Sequence, residues 1–533
     1  MKWRDDLLVV AAALLPLILF VARERQIAGA AGFPLDDSWI HLHFARNVAE
    51  GAGFSYNPGV PVAGSTAPLW TLLLAAGAAV VGPSLAAAKA IGVASTLGAA
   101  LLTRRAACAF GAPPAAAVVA AIGLLWTGPV TWGALSGMEV SLAALLVAAA
   151  LLAHARDRLV WTAVWAALAV LARPESLLLV PFLVLARPLG LRRALVFAGV
   201  TVAAVAPMVL FSLWTAGAPY PATAAAKVEG GLIGWLGGLR EPAARTFIVR
   251  PWEFSMEWVA WLATTQWVLP LAVFPGLALA WAGGGRALAM PALALIAHPL
   301  GMALLAPYRG PAFQEGRYSI HLLPLAMIVL AVIARRPGAG RRGPGPLRDP
   351  WLLGTTRAWR SVVGRRGSVT SVVSEGSRPP LAWRSAARVA VVAYLAAAAV
   401  TLVPAAERYG WAVQNINAMQ VHLGRWVDAH LPKNARLAVN DIGAIAYFSR
   451  REVIDLMGLV TPEIIPYRRQ GEPGVLRYVL ETCPDHVVIF PAWFPQLVSR
   501  TELLEPVYRV RLERNEVAGA PEMVVYRLTR CTV

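Results

Sequence analysis

Charged side chains are scarce in this 533-residue chain, 15% of it, against about 25% in an ordinary soluble domain. Hydrophobic residues make up 58%, and the mean hydropathy is +0.58. That excludes a water-soluble globular protein and leaves a chain that crosses a membrane many times. Cysteine is scarcer still. Cys108, Cys483 and Cys531 are too few for a disulfide framework. No internal repeat stands out, although such repeats accompany many transporter folds. Acids are also few, 30 against 48 lysines and arginines, for a net charge of +18. A basic excess of that size would suit a nucleic-acid binder, but the arginines cluster in short segments between apolar runs, where membrane topology puts them. A nucleic-acid partner is therefore not expected.

What is present is a series of apolar runs near the length of about 20 residues that a bilayer needs. Eleven spans are predicted, at 7–24, 85–103, 113–132, 139–154, 160–172, 175–187, 193–215, 258–281, 286–306, 318–334 and 385–404. The first follows Lys2 and Arg4 and reads as a retained anchor rather than a cleaved signal. The run 69–82 is short, so it reads as a helix on or dipping into the outer face. Arg104-Arg105, Arg156/Arg158, Arg192-Arg193, Arg286 and Arg335-Arg336 then all fall on the cytoplasmic side. Residues 335–384 carry eleven arginines and two acids among Gly, Pro and Ser, and read as a disordered cytoplasmic linker touching anionic lipid. The expected units are a transmembrane core at 1–334, this linker, a last span at 385–404, and an extracytoplasmic α/β domain at 405–533. Helical spacing over 407–431 and β-like runs at RLAVN, HVVIF and MVVYRL support that domain. Cys483 and Cys531 would pair there, since that compartment permits disulfides.

Asp36 and Asp37 stand just beyond the first apolar run, opening the polar stretch DDSWIHLHFARNVAEGAGFSYNPG. Charge at a membrane face on an apolar scaffold usually has a task. From Ser38 to Glu50 the pattern is that of a helix along the interface, on which Asp37 and His41, and His43 and Asn47, are i,i+4 neighbours. One acid would serve as a helix cap; the second then lacks a structural reason. A carboxylate raised in pKa at an apolar rim accepts a proton from a sugar hydroxyl. A polyprenyl-phosphate sugar already has a good leaving group, so it needs a base, cations near the phosphate and a groove for the lipid. His41-x-His43 is a poor metal motif because i,i+2 positions do not share a helix face. No cofactor is called for, beyond an unresolved need for a divalent cation. Tyr56-Asn57-Pro58-Gly59 reads as a turn. Glu139 opens the fourth span, Arg173-Pro174-Glu175 separates two half-length helices, and Lys227, Arg317 and Tyr318 lie in outer loops. Arg173 and Glu175 read as an ion pair holding the broken helix.

In these elements the chain resembles the GT-C superfamily of polyprenyl-phosphate-dependent membrane glycosyltransferases. The likeness is to the bacterial terminal arabinofuranosyltransferase group and, more distantly, to glycosyltransferase family 39. It is carried by the stretch from Asp36, STAPLW, LSGMEVSLAALL, LARPESLLL, AAAKV, GRYSIHLLPL and NDIGAIAYFSRREVIDLMGLV, in order from residue 36 to about 460. The resemblance implies an acidic pair as catalytic centre, a lipid-linked donor entering between helices, and inverting transfer to an acceptor outside a bacterial cytoplasmic (inner) membrane. By position, Asp36 and Asp37 match the acidic pair, and Arg46-Asn47 the basic-polar pair that follows. Glu139, Arg173, Glu175, Lys227, Arg317 and Tyr318 match recurring polar positions. The expected substrate-binding set is His41, His43, Arg46, Asn47, Tyr56, Asn57, Glu139, Arg173, Glu175, Lys227, Arg317 and Tyr318. Asp37 is favoured as the base because of His41. The acceptor is a glycan, a lipid or a protein of the envelope. Two other readings stand beside this one: a lipid or sugar transporter, and a non-catalytic membrane scaffold or sensor.

Overall fold

The computed structural model describes residues 2–273, 276–278, 285–334 and 381–531. The linker expected at 335–384 therefore lies outside the described residues, except for its last four, which open the final helix. Six helices are long and apolar enough to cross a bilayer: Trp3–Ala28, Leu85–Ala109, Leu191–Ala216, Arg286–Leu305, Phe313–Ile333 and Arg388–His430. A seventh candidate is the pair Pro114–Leu125 and Gly128–Leu135, bent by 60° at Trp126-Thr127. Shorter apolar helices fill the spaces between them, Pro68–Val81, Val140–Ala155 and Leu159–Ala172 among these.

Burial sorts these helices by role. Val140–Ala155 is apolar on all sides and buried along almost its whole length, so it runs through the centre of the bundle. Leu191–Ala216 buries only Phe197 and Ser212, with Leu195, Val202, Leu210 and Trp214 facing outward, as a lipid-facing helix should. Small residues permit close crossings: a Cβ at Gly92 would come within 2.3 Å of the Ala134 carbonyl oxygen. Helices break at two further places, the first unexpected and the second as the sequence predicts. The helix Arg250–Thr265 stops at Gln266, whose backbone is extended, so 258–281 is not one rod. The helix Leu159–Ala172 ends at Arg173; Pro174 opens a 3-10 turn over Pro174–Leu179, followed by the short helix Val180–Leu185.

No break in the backbone marks residue 405. The final helix continues from Arg388 to His430 through Pro404 and a π-turn at Asn417–Val421. The C-terminal domain thus grows directly out of a membrane helix. Its sheet has five strands: β1 (Arg436–Val439), β2 (Glu452–Asp455), β3 (His486–Ile489), β4 (Leu504–Arg511) and β5 (Glu522–Leu528). The order is β2-β1-β3-β5-β4, with β1 parallel to β2 and β3, and β5 antiparallel to β3 and β4. β2 is too short to show an alternation, and β4 alternates only over Tyr508 and Val510, with Leu512 just beyond it; both escaped the sequence reading.

Alternate residues of each strand enter two different cores, as the pleat requires. Ala438, Ile454, Val487 and Val524 pack under the helix Glu472–Thr482. Leu437, Val439, Val453, Val488 and Val525 face Met419, Leu423 and Val427 of the final helix, and also Ile40, Phe44, Tyr56 and Val62 from the N-terminal half. The domain and the segment after Asp36 therefore share one hydrophobic core. Cys483 and Cys531 form a disulfide, tying the end of the helix Glu472–Thr482 to the segment after β5.

Candidate active site

Asp36 and Asp37 are the first two residues of the helix Asp36–Ala49. Leu35 precedes it in an extended conformation, and no side chain caps its amide end. Asp36 caps a different helix instead. Its carboxylate accepts the backbone N–H groups of Gly443 (2.6 Å) and Ala444 (2.8 Å), the first two residues of the helix Gly443–Ser449. Bulk at Gly443 is excluded, since a Cβ there would lie 2.1 Å from the Asp36 carbonyl oxygen. A third acid, Asp441, also bonds Asp36 and accepts from Gln420 Nε2 at 2.6 Å. Burial raises Asp36 to about 6, against the pull of those N–H groups. Burial and the Asp36 charge push Asp441 well above the usual carboxylate range. Burial thus favours the protonated form of Asp441, which bonds the Asp36 carboxylate.

The same seam takes up many of the expected substrate-binding residues. Arg46 Nη1 donates to the Tyr447 carbonyl at 2.7 Å and stacks on the Tyr447 ring. Tyr56 Oη donates to the Ile442 carbonyl at 2.9 Å. Asn57 pairs like a strand residue with Val453, donating to its carbonyl at 2.8 Å and accepting from its N–H at 2.9 Å. Asn47 Nδ2 holds the carbonyls of Ser55 and Tyr56. His43 stacks on Tyr56, and one ring nitrogen lies 2.9 Å from the Tyr56 carbonyl oxygen. Burial, then the Arg46 charge, holds His43 down at about 3, so it stays neutral. None of these five lines the cavity described next.

Asp37 faces the other way, into a cavity of about 830 Å³ between the helical bundle and the C-terminal domain. Asp36, Asp37, Lys227 and Arg317 line it, together with Asp441, Asn440, Gln420, Arg309, Arg408 and Arg468. Arg317 Nη1 lies 2.7 Å from Asp37 Oδ2, and Lys227 Nζ lies 3.7 Å from the same oxygen. Burial alone would raise Asp37, but Lys227 and Arg317 outweigh it and hold the carboxyl far below its usual range. The raised pKa expected at an apolar rim is thus found at Asp36, and Asp37 shows the opposite. Lys227 is the reciprocal case: burial opposes its charge, and Asp37 raises it.

Behind Arg317 stands a buried polar chain. Arg317 Nη2 donates to Tyr318 Oη at 3.0 Å, and the Arg173 guanidinium covers the Tyr318 ring at 4.7 Å. Arg173 forks onto Glu175 at 3.2 and 3.1 Å and also bonds Glu139. Glu139 in turn lies 3.4 Å from His41 Nε2, while His41 Nδ1 meets Thr71 Oγ1 at 3.1 Å. The Asp37–His41 pairing expected from the i,i+4 spacing is therefore replaced by His41–Glu139. Each buried charge here has a counter-charge or a hydrogen bond, the condition on which such groups are tolerated. The network keeps the Arg317 fork aimed at Asp37.

Asp441, Gln420 and Arg468 were not anticipated as site residues. Asp441 was within reach, since Asn-Asp directly after a strand and before Gly443 marks a strand-to-helix corner. Gln420 and Arg468 sit on helices with no distinguishing pattern. Among the described residues, no group of three His, Cys, Asp or Glu side chains is placed to hold a metal ion.

Comparison with curated proteins finds no match. Residues 413–526 match the family model "Domain of unknown function (DUF8728)". Among solved structures, the archaeal oligosaccharyltransferase AglB from Archaeoglobus fulgidus, in complex with an inhibitory peptide and a dolichol-phosphate, superposes with a TM-score of 0.56 at 13% identity. That match covers 95% of this chain and 73% of AglB. ArnT from Cupriavidus metallidurans, bound to undecaprenyl phosphate, superposes with a TM-score of 0.56 at 14% identity over 99% of this chain and 98% of its own. Apo ArnT gives 0.57. At such identities the similarity establishes architecture: this is a multi-span membrane protein with the GT-C fold.

Proposed function

We propose that the chain is an integral membrane glycosyltransferase that moves a sugar, with inversion, from a polyprenyl-phosphate donor to an acceptor outside the cytoplasm. One observation carries the reading: Asp37 meets Arg317 and Lys227 in the wall of a large cavity beneath a second domain. That is a base beside two phosphate-binding cations. The solved proteins with this architecture were captured with dolichol-phosphate and undecaprenyl phosphate, which supports a lipid phosphate as the ligand.

The chemistry needs few groups. The acceptor hydroxyl oxygen attacks the anomeric carbon as the bond from that carbon to the phosphate oxygen breaks. The hydroxyl proton passes to Asp37, and the bonding pair leaves with the polyprenyl phosphate. Arg317 and Lys227 balance the charge that builds on the leaving oxygen. They also set the order of events. While they hold Asp37 its carboxylate is a weak base; when a phosphate takes their charge, the proton affinity of Asp37 rises. Donor binding thus switches the base on. Asp36 is committed to the Gly443–Ser449 helix and acts as a positioning residue.

The helix Leu85–Ala109 supports the membrane orientation. It begins beside Pro83, whose carbonyl accepts a hydrogen bond from Tyr447 of the C-terminal domain. It ends where Arg104 and Arg105 pair with Asp5 and Asp6 of the first helix. The arginine end faces the cytoplasm by the positive-inside rule, so the cavity opens outward. The test is Asp37→Asn in membranes supplied with polyprenyl-phosphate sugar. Transfer is expected to fall at least ~100-fold, the range for loss of a general base. Unchanged transfer by a fully inserted Asp37→Asn protein would refute the assignment.

A further inference from the structure

The cavity holds more cations than one phosphate needs, and they are grouped. Tyr308 is at the centre of three. Lys227 Nζ lies 5.6 Å from its ring centroid and Arg309 Cζ lies 5.8 Å from it. Arg468 approaches the same phenol from the C-terminal domain. All four residues line the cavity wall.

The nearby acids are largely engaged elsewhere. Asp37 takes Lys227 and Arg317, Arg408 grips Glu315 through two hydrogen bonds of 2.8 and 3.1 Å, and Arg514 holds Glu516 at 3.2 Å. Asp455, which faces Arg468, accepts the backbone N–H groups of Met457, Leu459 and Val460. Glu229 is the remaining acid facing Arg468. Among the described residues, neither Arg309 nor Arg468 forms an ion pair with a carboxylate. Arg468 spends one N–H on the Met457 carbonyl at 2.5 Å, and the Arg309 side chain donates no hydrogen bond to any of the described residues. Arg309 is also held in the left-handed backbone region at φ 48°, unusual for a residue with a side chain. Like charges gathered without counter-charges repel one another, and an anion placed between them removes that cost. Planar guanidinium forks match phosphate oxygens in pairs.

We infer that a second phosphate-class anion binds beside Tyr308, between Arg309 and Arg468, distinct from the position at Asp37 and Arg317. The inference rests on the glycosyltransferase reading and extends it. The anion is either the second phosphate of a diphosphate-linked donor or a phosphate carried by the acceptor. Bound there, it ties the loop after Arg286–Leu305 to the C-terminal domain.

The full chain in lipid nanodiscs tests this by native mass spectrometry and thermal shift with defined probes. If the donor carries the anion, undecaprenyl diphosphate binds at least about 10-fold more tightly than undecaprenyl phosphate, about 1.4 kcal/mol. That advantage disappears in Arg309→Gln/Arg468→Gln, while binding of the monophosphate lipid stays unchanged. If the acceptor carries it, the two lipids bind alike, but inorganic phosphate further stabilises protein saturated with undecaprenyl phosphate, and the double variant loses this response. Arg309→Gln alone, changed at an exposed side chain, weakens either response and guards against misfolding of the double variant. Equal lipid binding with no response to inorganic phosphate overturns the second site, as does either response surviving in the double variant. Failure of the unaltered protein to bind undecaprenyl phosphate at all is a different result: it removes the donor reading and this inference with it.

Discussion

Asp36 and Asp37 are chain neighbours in opposite surroundings. Asp36 touches the cavity wall, but its carboxylate is taken up by the C-terminal domain, by two backbone N–H groups and by Asp441. Asp37 looks into the cavity and receives a guanidinium and an ammonium. Two helical positions one residue apart point roughly 100° away from each other, so one helix end serves both regions. The stripes continue along the helix. His43 and Asn47, at i+7 and i+11 from Asp36, stay with the seam, while His41, at i+4 from Asp37, stays with the polar chain behind the cavity. The lesson is that a pair of acids need not be a pair in function. One ties the C-terminal domain in place while the other is held by cations of the cavity wall.

The sharpest way to break this contrast is to remove each acid in turn. Loss of Asp37 as the amide should abolish transfer, as set out above, and leave the seam intact. Asp36→Ala should do the reverse first. It deletes two charge-assisted hydrogen bonds, about 3 kcal/mol together, and leaves Asp441 without its partner. The expected readout is a lowered melting temperature and faster limited proteolysis at the junction of the domain with the bundle, with transfer falling in consequence. A smaller effect is expected at Arg317. Arg317→Gln should weaken undecaprenyl phosphate binding by about 10-fold, or about 1.4 kcal/mol, measured by native mass spectrometry, while the proteolysis pattern stays that of the parent protein. The smallest concerns pH. The Asp36–Asp441 pair holds a proton in the folded state that unfolded aspartates release above 3.8. Its stabilising contribution is therefore whole below that value and is lost as pH rises through about 6 and beyond. Asp441→Asn keeps the donor to Asp36 and the acceptor for Gln420 without titrating. Its melting temperature should depend less steeply on pH than that of the parent chain between about pH 5 and about pH 8.

Local pattern carried much of the architecture. The apolar runs, the break at Arg173-Pro174-Glu175, the turn at Tyr56–Gly59 and the helix after Asp36 are all written within a few turns of chain. The interruption at Gln266 was hidden because the residues around it remain apolar. The continuity of the final helix through Pro404 was hidden because composition shifts there while the backbone does not. The roles of the polar residues were harder still. Arg46, Tyr56 and Asn57 look like substrate ligands in a polar loop. What they bind is the backbone of Tyr447, Ile442 and Val453, some four hundred residues later.

By itself, then, the sequence determined the solvent this protein lives in, the helices that cross it, and the helix end that bears the acids, because hydrophobic periodicity and helix breakers act over short stretches. Only the tertiary structure decided which acid caps a distant helix and which meets the cations of the cavity. Those choices depend on Asp441, Lys227 and Arg317 arriving from distant parts of the chain, and the charge of a buried carboxylate is set by what surrounds it in space.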